Sequence, residues 1–221
     1  MARVAVCLSG CGFLDGAEIH ESVLTLLALD QAGATAVCCA PAVAQAAVVD
    51  HATRAAVAGE SRDVLVESAR IARCEIVDIA TVRAAAVDAV ILPGGFGAAC
   101  NLSDFGDKGA ECSVHPEVER LVGECLEAGK PVGAICIAPA VIARILGRRG
   151  LAARLTIGND SGTAAAINAM GARHCDCPVT ECLVDEAHKV VTTPAYMLAK
   201  GPAEVFEGVR KLVTAVLRLA R

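Results

Sequence analysis

RVAVCLSG (residues 3–10), IHESVLTLLALDQAG (19–33) and ATAVCCAP (34–41) set the strongest limit on what this chain can fold into. The first and third are short apolar runs ended by Gly10 and Pro41, the pattern of buried strands. Between them lies a segment of helical periodicity that stops at Gly33. Strand, helix and strand in that order favour a parallel sheet, because two strands running the same way need a crossover between them. DAVILPGGFG (88–97) reads as a strand running into paired glycines, HPEVERLVGECLEAGKP (115–131) as a helix stopped by Gly129, and VGAIC (132–136) as the next strand. APAVIARIL (138–146) is helical, LTIG (155–158) a short strand and NDSGTAAAINAMG (159–171) a capped helix. ECLVDEAHKVVTTPAYM (181–197) forms two strands around the turn Asp185–His188, and residues 201–220 form a closing amphipathic helix with Pro202 near its start. The middle of the chain is less regular. Residues 61–73 read as a helix with Ser61 as its cap, 75–80 as a short strand, 81–87 as a helical turn, and 98–115 as a long loop without period. The expected fold is one three-layer α/β domain over residues 1–221 with a mostly parallel central sheet.

With 221 residues the chain can bury about 70% of its unfolded surface and needs no staple. One Tyr and no Trp argue against a platform for stacked bases, and a net charge of -5 argues against a phosphate backbone, so no nucleic acid is expected as partner. Arg144, Arg148, Arg149 and Arg154 read as a solvated helix end and turn. No apolar run reaches the roughly 18 residues of a membrane span, and no membrane partner is expected. The opening MARVAVCLSGCG reads as a first strand rather than a signal peptide, which places the chain in the cytoplasm as an expectation. Twelve cysteines are many, but neither Cys38–Cys39 nor Cys175/Cys177 has zinc or redox spacing. Cys7 and Cys11 have no partner pair downstream. Most of these thiols read as small core hydrophobes, and no metal is expected.

Cys136 differs by position. It stands between a strand and a helix, and ligands of open parallel sheets bind beyond the carboxyl ends of strands. A tight strand-to-helix turn can present a nucleophile there, with the next backbone N–H aimed at an oxyanion. Gly133 leaves room before the turn, and Pro139 suits the first helical turn. The helix N-terminus would lower the thiol pKa. A buried filler thiol is the other reading, since the chain holds eleven more cysteines. Pro93-Gly94-Gly95 also ends a strand and reads either as a tight turn or as backbone N–H groups facing a developing oxyanion.

LSGCGFLDGAEIHESVLTLLAL (8–29), ILPGGFGAACNLSDF (91–105), GKPVGAICIAPA (129–140), LTIGND (155–160) and KVVTTPAYMLA (189–199) together resemble the ElbB group. That group is associated with isoprenoid production and belongs to the superfamily of class I glutamine amidotransferase-like domains and PfpI proteases. The resemblance spans the chain from end to end. It implies a flavodoxin-like sheet, a homodimer, and glyoxalase-like action on glyoxal or methylglyoxal without glutathione or any cofactor. It also implies that an acidic residue of the first helix meets the elbow thiol. In GAEIHESV (16–23) Glu21 takes that role on the E-[ST]-V ending, with Glu18 three residues earlier on the same helical face. A carboxyl pressed against a thiol in a partly dry cleft keeps its proton more readily and can act as acid or base near neutrality. His20 points roughly 100° away from Glu21 around the helix and is expected at a structural or subunit contact.

The chain departs from relatives with a full triad, which carry a His after the strand that follows the cysteine. Here that place reads Gly158-Asn159-Asp160, and no His lies between His115 and His174. Asn159 and Asp160 can orient groups, but Asp160 or Ser161 also reads as a helix cap. The missing imidazole argues against peptidase or amidase turnover. A small α-oxoaldehyde suits what remains: addition of Cys136, proton movement by Glu21, and Gly94, Gly95 and the N–H of Ile137 around the oxyanion. The loop 98–115, with Lys108, Glu111 and His115, is expected to rim this pocket, in one version across a dimer. The alternative is a thiol sensor or partner-binding protein of isoprenoid metabolism that keeps the elbow without efficient catalysis.

Overall fold

A computed structural model describes residues 1–221. In chain order its elements begin β1 (Arg3–Cys7), α1 (Ile19–Gln31), β2 (Thr35–Ala40), β3 (Val49–Asp50), β4 (Ala55–Ala56), α2 (Val64–Ile71), β5 (Val77–Asp78) and β6 (Ala89–Leu92). They continue α3 (Phe96–Cys100), α4 (Phe105–Lys108), α5 (Pro116–Glu127), β7 (Val132–Ile135), α6 (Ala138–Arg148), β8 (Arg154–Leu155) and α7 (Ser161–Ala169). The last are β9 (Arg173–His174), β10 (Leu183–Asp185), β11 (Val190–Thr193) and α8 (Pro202–Leu219).

Seven strands form one sheet in the order β10-β11-β7-β6-β1-β2-β5. Only the β10–β11 pair is antiparallel. Every residue of β6, β7 and β11 is buried, as strands covered on both faces must be. Alternation along β1 sorts the two cores. Val4, Val6 and Leu8 face Ala28 and Leu29 of α1, Val64 of α2 and Leu212 of α8; Ala5 and Cys7 face Leu121 of α5 and Ile142 of α6. The result is the expected three-layer α/β sandwich, flavodoxin-like in arrangement, with helices on both faces of a mostly parallel sheet. No helix is long and apolar enough to cross a membrane.

Several local expectations are corrected. Asp63, not Ser61, caps α2: its side chain accepts from Val66 N. The loop 98–115 is not structureless, because α3, α4 and a 3₁₀ turn at Gly109–Glu111 occupy it. Single turns such as these carry too little period to be read. Tertiary bonds hold them, chiefly the Asn101 amide donating to Ser9 O and Asp15 O, both at 2.9 Å. The strand at LTIG shortens to β8 and pairs with β9 outside the main sheet.

From β1 the chain lays down β2 and then β5 on one side, and returns to place β6 against the other side of β1. The order therefore reverses between β1 and β6, the place beyond the carboxyl ends where open sheets of this kind take their ligands. Leu92 of β6 pairs with Ala134 of β7, so the residues two beyond each, Gly94 and Cys136, emerge at one level on this edge.

Candidate active site

Cys136 holds a left-handed backbone with φ +62°. A non-glycine residue there is strained, and the surroundings must hold it. Its N–H donates to Thr193 O at 3.0 Å, which ties the elbow to the end of β11. Ile137 then starts α6, with Pro139 in its first turn. The N–H groups of Gly95 and Ile137 both point at the sulfur.

Glu21 supplies the other half of the site. It is fully buried in the first turn of α1 and hydrogen-bonds the Cys136 thiol. Its Oε2 accepts from Gly94 N at 2.9 Å and its Oε1 from Tyr196 N at 3.2 Å. Gly94 returns the connection, since its carbonyl accepts from Glu18 N at 2.9 Å. These contacts lock the start of α1 to the PGG turn. They also explain why position 94 is glycine. A Cβ there would stand 2.5 Å from Cys136 Cβ, 2.7 Å from Glu21 Oε2 and 2.8 Å from Ile135 O, inside any allowed contact. Gly95, at φ +91°, would meet Gly16 O at 2.4 Å.

The choice left open between the two acids resolves on geometry. Glu18 is the N-cap of α1, with its Oε2 accepting from Glu21 N at 2.7 Å, and Glu21 is the acid that touches the sulfur. Burial, then the charge of Glu18, raises Glu21 from the ordinary carboxyl value to about 8, against the pull of three hydrogen bonds. Glu18 is itself raised by burial.

The expected depression of the Cys136 pKa is overturned. Cys136 is 7% exposed. Burial first, then the charge and hydrogen bond of Glu21, hold its thiol well above the ordinary value, and the N–H groups of Gly95 and Ile137 do not outweigh them. The local dipole was legible in the sequence, but the desolvation was not. Iodoacetamide labelling of Cys136 followed against pH is therefore expected to have its midpoint above the free-thiol value of about 8.5. In Glu21→Gln, where the carboxylate charge is gone, the midpoint should fall. A wild-type midpoint near neutrality would contradict this account of the site.

Other candidates lie elsewhere. Asn159 is exposed, and Asp160 Oδ1 accepts from Thr163 N at 2.8 Å as the N-cap of α7. Gly94 N–H is committed to Glu21, which leaves Gly95 and Ile137 as the donors at the sulfur. In the segment 98–115, Lys108 pairs with Asp104, Glu111 is exposed, and His115 caps α5 by accepting from Glu117 N. None of these three side chains hydrogen-bonds Cys136 or Glu21. Sequence reasoning missed two contributors, the Thr193 carbonyl and the Tyr196 N–H. Both are backbone groups after a strand end, and the only available signal was that TTPAYM closes another strand on the same edge of the sheet.

No family model matches the chain. Over 99% of its length it is 48% identical to human glutamine amidotransferase-like class 1 domain-containing protein 3, mitochondrial, of which the match covers 83%. It is 32% identical to the ES1 protein, mitochondrial, of Danio rerio, over 98% of the chain and 86% of that protein. The crystal structure of an isoprenoid biosynthesis protein with amidotransferase-like domain from Ehrlichia chaffeensis superposes with a TM-score of 0.94 at 37% identity, covering both chains completely. Drosophila melanogaster DJ-1beta superposes with a TM-score of 0.52 at 18% identity, over 99% of this chain and 89% of that one, and shares the fold. The cytoplasmic expectation does not stand: the human and zebrafish relatives, and a rat ES1 protein homolog 45% identical over 99% of the chain and 84% of that protein, are all named mitochondrial. The reading of the first residues as a strand is correct, but a strand says nothing about compartment.

Proposed function

The chain belongs to the ElbB/ES1-like family of the PfpI and glutamine amidotransferase-like superfamily, and from that premise we propose that it converts glyoxal or methylglyoxal to the hydroxy acid without glutathione. The observation that carries this reading is a buried carboxyl hydrogen-bonded to a strained elbow thiol. Glu21, held at about 8, exchanges its proton near neutrality, as a general acid and base must.

In the proposed sequence the sulfur of Cys136 adds to the aldehyde carbon while Glu21 takes the thiol proton and returns it to the aldehyde oxygen. The product is a hemithioacetal. The Glu21 carboxylate then removes the proton of that carbon to give an enediolate, the hydroxyl proton passes to the neighbouring oxygen, and Glu21 delivers its proton to the neighbouring carbon. A thioester results, with one carbon oxidised and its neighbour reduced, so no external redox partner is required. Water cleaves the thioester to lactate or glycolate and restores the thiol. The N–H groups of Gly95 and Ile137, already aimed at the sulfur, are placed to meet negative charge on the adjoining oxygen. The raised thiol is compatible with this scheme, because addition is coupled to transfer of its proton to a partner in contact. A sensor needs a standing thiolate, and burial of Cys136 works against that alternative. Formation of lactate from methylglyoxal with no glutathione present tests the proposal, and its absence at millimolar substrate would end it.

We also propose a homodimer. Ile19, Val23 and Leu27 recur four apart on the outer face of α1 and are 42%, 46% and 41% exposed, an apolar stripe that a second copy would cover. Light scattering is expected to give twice the chain mass; a monomer at every concentration would dismiss this partner.

A further inference from the structure

His20 precedes Glu21 in α1 and is exposed. Its Nδ1 lies 2.6 Å from the Tyr196 hydroxyl, and the two ring centroids are 5.7 Å apart. Tyr196 is half-buried. The same residue therefore grips α1 twice: its ring meets His20 from outside, and its backbone N–H donates to Glu21 Oε1 from inside at 3.2 Å.

The turn that carries Tyr196 is strained. Ala195 has φ +44°, a left-handed backbone at an alanine. Such a conformation is unfavourable for any residue with a Cβ and persists only where the surroundings impose it. Leu198 N and Ala199 N fold back onto Ala195 O at 3.0 and 2.8 Å, which closes the turn locally. The rest of the turn packs on α8, and its hydrogen bonds to α1 are the two made by Tyr196. Because both bonds come from one residue, loosening the outer one, at the phenol, loosens the hold on the inner one. The inner bond is also the longer of the two N–H contacts to the Glu21 carboxyl, at 3.2 Å against 2.9 Å from Gly94.

Building on the reading of Glu21 as proton carrier, we propose that His20 and Tyr196 form a latch that sets the proton affinity of Glu21. By tying the phenol to α1, the pair keeps the Tyr196 N–H on Oε1. His20 and Tyr196 are thus positioning residues, acting through Glu21.

The groups that face Glu21 are few and come from every element packed on it. They are the Gly94 N–H after β6, the Cys136 thiol from the elbow, Glu18 one turn earlier in α1, and the Tyr196 N–H after β11. Glu18 raises Glu21, and the three hydrogen bonds lower it. Loss of the Tyr196 bond therefore moves the carboxyl further up. Burial and the charges of Glu18 and Glu21 also raise the Tyr196 phenol, so it keeps its proton; in the His20 tautomer whose Nδ1 carries no proton, the phenol donates to that lone pair. Any side chain with an acceptor at that place should substitute for the imidazole.

An infrared titration of the full chain tests the latch without any substrate. The protonated-carboxyl band that Glu21→Gln removes is expected to titrate near pH 8 in the wild type. In Tyr196→Phe and His20→Ala the midpoint should rise by about one unit, the scale of losing one hydrogen bond to a charged group. His20→Gln, whose side-chain oxygen accepts from the phenol, should bring it back. An unmoved midpoint in Tyr196→Phe and His20→Ala, with only the melting temperature lowered, would reduce the pair to packing and overturn the proposal. So would the absence of any band lost in Glu21→Gln, which would also remove Glu21 as proton carrier. If the band shifts as expected but no lactate forms, the substrate reading fails and the latch stands.

Discussion

Cys136→Ser is expected to lower lactate formation from methylglyoxal by about a thousandfold or more, the scale on which loss of a covalent nucleophile acts. The reasoning is local. The hydroxyl of serine occupies nearly the same volume at the φ +62° elbow and can still donate to Glu21. Binding and packing therefore survive. What is lost is a soft sulfur able to form a hemithioacetal and then leave a thioester as a good leaving group. Steady-state lactate assays beside a thermal melt separate the two effects. A melting temperature within a few degrees of wild type, together with the large loss of rate, is the expected pair. Full turnover in the serine variant would mean that the chemistry runs elsewhere in the protein.

The second large effect concerns stability. Glu21 is raised from 4.5 to about 8 in the folded chain, burial being the first cause. Between those two values the unfolded chain gives up a proton that the folded chain keeps. Folding stability should therefore be highest below pH 4.5 as far as this group is concerned, fall as pH climbs through the window, and level off above about 8. A gap of that size amounts to on the order of 5 kcal/mol across the whole window. Glu21→Gln removes the slope. It also adds a constant penalty of about 1–3 kcal/mol, because the amide nitrogen cannot accept from one of the N–H groups of Gly94 and Tyr196. Urea unfolding at several pH values between 5 and 8 compares the two proteins, and the slope is the quantity to read. Parallel curves would show that Glu21 is ionised in the native state, contrary to its surroundings.

The stability effect comes from a single carboxyl whose folding cost is retained at the site. A solvated carboxyl at the same place would be more stable at pH 7 and a poorer proton carrier. The resemblance and the helix register together marked Glu21, with Glu18 beside it. They could not choose, because both lie on one face of α1, and only the tertiary position of Gly94 selects the residue one turn deeper. The thiol pKa went the other way from expectation for a similar reason. A helix start after Cys136 is a local feature, whereas desolvation is imposed by everything packed around the sulfur.

Sequence by itself determined the framework. The apolar runs that became β1, β2, β6, β7 and β11, the helix α1 between the first two, and the closing α8 are long or uniform enough for their period to show. The glycines at 94 and 95 and the cysteine at 136 could be placed at strand ends because strand ends are marked by a change of residue type. Tertiary structure alone decided the rest. The β3–β4 hairpin and the short helices after Gly95 are held by bonds such as Val49 N to Asp15 Oδ2 at 2.8 Å, between residues far apart in the chain, and carry no periodic signal of their own. The site depends on the same kind of fact. Strand register sets Gly94 level with Cys136, and the strand order brings Glu21 and the Tyr196 turn to the same edge of the sheet, with His20 on the phenol behind them. Register and strand order are properties of how separate segments dock, and a single sequence does not record them.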